Sequence, residues 1–213
     1  MTAREEILSR IRTALDVDPV DPVLSHAKIA QTYNRVGKLN HQACLDFFID
    51  RLIDYDTEIL QVTAESELPS AIAQALQHAN EQQAIVAAAF PSARLPSGID
   101  FRIDHNLATN EIEGIPAVIT TCEAAVAATG TIILVHEGAQ ARRVLTLLPD
   151  HHICIVRRSQ VFELLPEALT AIAAKASKPI TTISGPSATS DIEMTRIRGV
   201  HGPRRLTVIL YGA

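Results

Sequence analysis

Two short polar stretches near the C-terminal end carry most of the chemistry this sequence offers. The first runs Ser184-Gly185-Pro186-Ser187-Ala188-Thr189-Ser190-Asp191, and the second runs Gly199-Val200-His201-Gly202-Pro203-Arg204-Arg205. Hydroxyls and glycine backbone N–H groups bind anions. Arg204 adds a forked donor for a carboxylate, and His201 is a side chain able to change charge near neutral pH. Ser190 followed three residues later by Glu193 fits a capping box, so a helix is predicted to begin near Asp191, with free N–H groups at its mouth suited to a carboxylate or phosphate. The candidate ligand-binding residues here are Gly185, Ser187, Thr189, Gly202 and Arg204. Asp191 and His201 form a proton-handling pair if the two turns converge. The bland reading uses the same residues: Ser, Thr, Asp and Gly before a helix also make an ordinary capped strand-to-helix turn.

The flanking pattern says how these turns are held. Ile180–Ser184 and Leu206–Leu210 read as strands that bring the two turns into one neighbourhood. A second informative region lies at 113–138. There Ile115–Ile119 reads as a strand, and Thr120 with Glu123 as a capping box opening a short Ala-rich helix to Ala128. Gly130 reads as a helix C-terminal glycine and Thr131–Val135 as a buried strand. Thr129, Gly130 and Thr131 join the ligand-binding candidates, since two hydroxyls flank an exposed backbone turn.

Earlier in the chain, residues 2–15 make an amphipathic helix with Ile7, Leu8, Ile11 and Leu15 on one face. An Asp/Pro-rich linker follows, because each Pro removes a donor and pushes its predecessor out of helix. Asn40 caps a helix bearing Leu45, Phe48 and Leu52. A strand at 58–62, a helix at 68–78, an apolar run at 84–90 and a short edge strand at 101–104 come next. Further on are a basic turn at 142–148, a strand at 152–156, and a helix at 160–175 that Pro166 kinks or starts. Strands alternating with helices imply an α/β fold, a mostly parallel sheet with flanking helices, preceded by an N-terminal helical arm. The expected division is an arm at 1–16, a linker at 17–39 and an α/β domain at 40–213.

Composition narrows the function classes. Hydrophobic residues are 47% of the 213, yet aromatics are 4% with no Trp, so the core is aliphatic. A net charge of -5 argues against nucleic acid as a partner. Cys44, Cys122 and Cys154 are scattered, which suits buried thiols in a reducing cytoplasm better than disulfides, zinc or iron–sulfur ligation. His151 and His152 are adjacent in a strand, so they point to opposite faces and do not share a metal. No secretory leader or membrane-spanning run is read. The expectation is a cytoplasmic protein with no membrane partner, no metal and no cofactor of its own. Neither GxGxxG nor GxxxxGK[ST] is present.

The run SGPSATSDIEMTRIRGVHGPRRLTVIL (184–210), with ATGTIILV at 128–135 and the opening REEILSRIRTAL, resembles the LUD-domain family in its lactate-utilisation protein C (YkgG-like) branch. The resemblance covers nearly the whole chain and is sparsest from 20 to 80. It implies a fold related to ribose-phosphate isomerase, glucosamine-phosphate deaminase and CoA transferases. It also implies a non-redox role in oxidising L-lactate to pyruvate, beside partner subunits that carry the iron–sulfur clusters. One departure stands out. Members commonly place an acidic residue just before the Thr-Gly-Thr element, where this chain has Ala128, which removes a candidate base or nucleophile and leaves Glu123 as the nearest substitute. The readings that follow are a subunit binding a small anion or a partner through its two turns, a stand-alone isomerase or acyl/CoA transferase with a carboxylate in its pocket, and an interaction module docking through the arm. Self-association is left open.

Overall fold

The structure is a computed structural model and describes residues 2–15, 32–189, 197–198 and 202–212. The chain divides into two units, 1–34 and 35–213. The first holds helix α1 (Ala3–Ala14), which starts at Thr2 through a capping box with Glu5 and buries none of its residues.

The second unit is built on helix α2 (His41–Asp54), capped by Asn40, whose side-chain oxygen accepts from Ala43 N at 2.9 Å. Its buried stripe of Cys44, Leu45, Phe48 and Leu52 recurs at helical spacing. Six strands then form one all-parallel sheet in the order β1 (Glu58–Gln61), β12 (Arg205–Tyr211), β7 (His151–Arg157), β4 (Ala117–Thr121), β2 (Gln83–Ala87), β3 (Asp100–Asp104). Strands β12, β7, β4 and β2 are nearly wholly buried, as expected of a parallel sheet covered on both faces. One face packs on helix α3 (Leu68–His78) through Leu68, Ile72 and Leu76. On the other face, Leu206, Val208, Leu210, Cys154 and Val156 meet α2 and a second sheet. A short helix α4 (Thr109–Ile112) covers the β2–β4 end of that face.

The second sheet is a finding beyond the sequence pattern. It is four-stranded, mostly antiparallel, in the order β8 (Val161–Phe162), β5 (Ala124–Val126), β6 (Thr131–Val135), β9 (Ile180–Ser184). The expected Ala-rich helix after Thr120 is therefore strand β5. Ala125 faces the main core, while Ala124 and Val126 face helix α5 (Leu165–Ala171), so no polar helix face has anywhere to go. Thr120 does not cap either, because its hydroxyl meets His152 at 2.8 Å. The helix expected over 160–175 is likewise shorter. Val161–Phe162 pairs with β5, and Pro166 sits in the first turn of α5, where a missing N–H costs nothing. Strands β10 (Ala188–Thr189) and β11 (Ile197–Arg198) form a small antiparallel pair. The helix predicted from Asp191 lies outside the described residues.

Candidate functional site

Strand β9 pairs with β6 in a register that sets Ser184 opposite Thr131, and the chain then turns at Gly185 with a left-handed φ of 79°. A side chain there would also strike Tyr55 Cβ at 2.7 Å. Pro186 and Ser187 follow, and Ser187 N donates to Pro203 O at 2.8 Å, so the two polar turns meet. They enclose a cleft of about 270 Å³. Thr181, Ser184, Ser187 and the backbone of Gly185 and Gly202 form its hydroxyl-rich wall. Leu206 and His152 also line it, as do Arg143, Thr146 and Arg205.

The cleft sits at the amino ends of β7 and β12, whereas ligands in open parallel sheets usually bind beyond the carboxyl ends. The reason is visible in the topology: β9, from the second sheet, delivers its Gly-Pro-Ser turn there.

The adjacent histidines divide between the two faces of β7. His152 pairs in register with Leu206 and is fully buried, with Nε2 against Thr120 Oγ1. Burial, then the neighbouring His151 and Arg143, push its pKa down to about 3, so it lines the cleft as a neutral imidazole. His151 turns to the other face, where Nδ1 meets Glu81 at 2.7 Å and Nε2 meets Thr207 Oγ1 at 2.8 Å. Thr207 in turn donates to Glu58 at 2.7 Å, and Glu58 meets His78 at 2.6 Å. Arg205 completes this network by donating to Glu81, so its guanidinium is neutralised by a buried carboxylate.

The residues singled out from sequence fall in different places. Gly185, Ser187 and Gly202 line the cleft. Thr189 lies in β10. Arg204 is exposed and forks onto Asp150 at 2.5 and 2.9 Å, so a ligand carboxylate would have to displace that partner. Thr129, Gly130 and Thr131 stand behind the wall: Thr129 Oγ1 meets Thr131 Oγ1 at 2.7 Å, which meets Ser184 Oγ at 2.8 Å, a hydroxyl chain ending at the cleft. Gly130 has φ 58°, and a Cβ there would lie 2.9 Å from Arg51 Cβ, so its missing side chain lets α2 approach. Asp191 and His201 lie outside the described residues. Glu123 accepts from Gln140 at 2.6 Å and Lys175 at 2.9 Å and is not part of the cleft wall. Among the described residues, no carboxylate lines the cleft.

Sequence reasoning passed over Arg143, Thr146, Thr181 and His152. The basic turn and the histidine pair were visible signals, but the side of the sheet each would face was set only by register.

Residues 48–211 match the LUD domain. The chain belongs to the LUD-domain family. Among relatives of this LUD protein, lactate utilization protein C of Deinococcus radiodurans is 45% identical over 177 residues, covering 82% of each chain. The YkgG protein of Escherichia coli is 24% identical over 99% of this chain and 98% of its own. A crystal structure of a DUF162 family protein from Deinococcus radiodurans superimposes with a TM-score of 0.72 at 41% identity, covering 82% of this chain and all of that one. Among the described residues, no helix is long and apolar enough to cross a membrane.

Proposed function

We propose that this LUD protein takes part in lactate utilisation as a non-redox subunit of an L-lactate-oxidising system, beside iron–sulfur partner proteins, and that its cleft holds a small anion. The observation that carries the anion reading is the cleft's chemistry: arginines, a neutral histidine, hydroxyls and glycine backbone, with no carboxylate among its described lining residues. The likeness to a lactate utilization protein C, over 82% of both chains, supports the system in which it works. In this reading Ser187 and the backbone around Gly185 and Gly202 hold the anion. Asp191 and His201, which belong to the same two turns in sequence, move its proton.

Purification of the tagged protein from its host grown on L-lactate, with L-lactate-dependent dye reduction assayed in the eluate, tests the proposal. Co-elution with iron–sulfur proteins and dye reduction is the expected result. A solitary, inactive protein, in a preparation where other assemblies survive, would sink it. The stand-alone isomerase or acyl-transferase reading needs a carboxylate facing the ligand. Ala128 and the tethered Glu123 do not supply one, and Asp191 and Glu193 lie outside the described residues.

A further inference from the structure

We propose that Arg143 is the residue that reads the charge of the cleft's ligand, that this ligand is a small monocarboxylate, and that His136 positions Arg143. The inference rests on the anion reading of the cleft given above.

Three observations lead to it. The first is charge. Of the two arginines among the described lining residues, Arg205 gives its guanidinium to Glu81. Arg143 is exposed, donates to Thr146 Oγ1 at 3.0 Å, and meets no carboxylate among the described residues. With His152 neutral, Arg143 is the one uncompensated cation among the described residues that line the cleft. That matches a monoanion, and a guanidinium recognises a carboxylate by parallel hydrogen bonds.

The second is backbone strain next to Arg143. Ala141 has φ 63° and ψ 162°, a conformation populated almost solely by glycine, and it is buried. Such a residue persists only where its surroundings over-determine it. Here they do. Arg142 forks onto Asp104 at 2.7 and 2.8 Å and reaches Leu107 O at 2.5 Å. His136 Nδ1 donates to Ala141 O at 2.9 Å.

The third is that the same imidazole holds the opposite wall. With its Nδ1–H on a carbonyl, His136 turns Nε2 to Thr181 Oγ1, 2.7 Å away, and Thr181 lines the cleft. One ring thus ties the strained turn that presents Arg143 to the hydroxyl wall facing it.

Isothermal titration of the full chain with sodium pyruvate, sodium L-lactate and inorganic phosphate tests this. Wild-type protein is expected to bind a monocarboxylate more tightly than phosphate. Arg143→Gln should weaken that binding roughly tenfold or more, as expected for a lost charge-assisted bond. Arg158→Gln, which removes one charge beyond the far end of β7, should stay within about twofold. His136→Phe should lose affinity while retaining the wild-type circular dichroism spectrum. His136→Gln, able to donate to Ala141 O and accept from Thr181, should restore most of it. Wild-type protein that binds none of the three would overturn the anion reading and this inference together. Binding unchanged in Arg143→Gln would overturn this inference and leave the anion reading standing. Tighter binding of phosphate would overturn the ligand class, and equal binding by His136→Phe would overturn the positioning role.

Discussion

His152 shows how one side chain ties the site to the stability of the whole fold. Its folded pKa near 3 lies below the ordinary value of 6.5, so between those values the unfolded chain binds a proton the folded chain refuses. Stability from this residue is therefore complete above about pH 6.5 and declines as pH falls toward 3. Between pH 7 and pH 5 the expected loss is about 2 kcal/mol. Urea unfolding at the two pH values, compared between wild type and His152→Gln, should give a smaller acid loss in the variant by about that amount. An equal loss in both proteins would mean that His152 titrates normally in the fold. Asp104 behaves in the opposite sense. Burial alone would raise its carboxyl, but the paired N–H donors of Arg142 and the backbone N–H groups of Leu107 and Asn106 outweigh that and hold it below the usual range. The clamp on the strained turn therefore stays ionised at neutral pH.

At the scale of elements, the last turn of α2 is the seat on which both glycine turns rest. Gly130 packs against Arg51 and Gly185 against Tyr55, four residues further along the helix. Each glycine combines a left-handed φ with a contact that leaves no room for a Cβ. Gly130→Ala and Gly185→Ala should each cost about 2–4 kcal/mol in denaturant unfolding, summing strain and overpacking. A cost under 0.5 kcal/mol would show that α2 can yield there. Ala141→Gly runs the other way. Relief of a strained backbone, about 1–3 kcal/mol, exceeds the extra entropy glycine loses on folding, about 0.4–1 kcal/mol. The variant should therefore unfold at higher denaturant. Its looser turn should also bind the cleft's anion less well, a trade of function for stability. A destabilised Ala141→Gly would mean that the turn carries no strain.

At the scale of the molecule, every hydrophobic core cluster of the described residues begins at or after Cys44, while α1 buries no residue. Because α1 buries no residue, removing residues 1–15 should leave the unfolding free energy within about 0.5 kcal/mol of the full chain. A larger drop would reveal that the arm contributes to the stability of the LUD domain. The core around the site is assembled from strands far apart in the chain. Strand β12, the last described, lies between β1 and β7, so the Pro203–Arg205 turn reaches its place only when the C-terminal end is threaded into the sheet.

Much of this was legible in the order of residues. The strands read at 58–62, 180–184 and 206–210, found at 58–61, 180–184 and 205–211, the 68–78 helix and the Asn40 cap follow from local rules of alternation, helical spacing and hydrogen-bond capping, which act within a few residues. The same local chemistry marked the Gly-Pro-Ser and Gly-Pro-Arg turns, and the likeness of the long C-terminal run to LUD proteins gave the family. What local rules could not settle was pairing. Thr120-Thr-Cys-Glu-Ala-Ala carries a helix-start signal, yet it became the end of one strand and the start of another, because β6 and β8 offered Ala124–Val126 backbone partners and two buried faces. Arg204 and Arg205 are neighbours in sequence with the same side chain. Only the sheet sent one to solvent and Asp150, and the other to buried Glu81. Arg143 acquired its place at the cleft in the same way, since a lone guanidinium is given meaning by the carboxylates that tertiary structure brings to it or withholds.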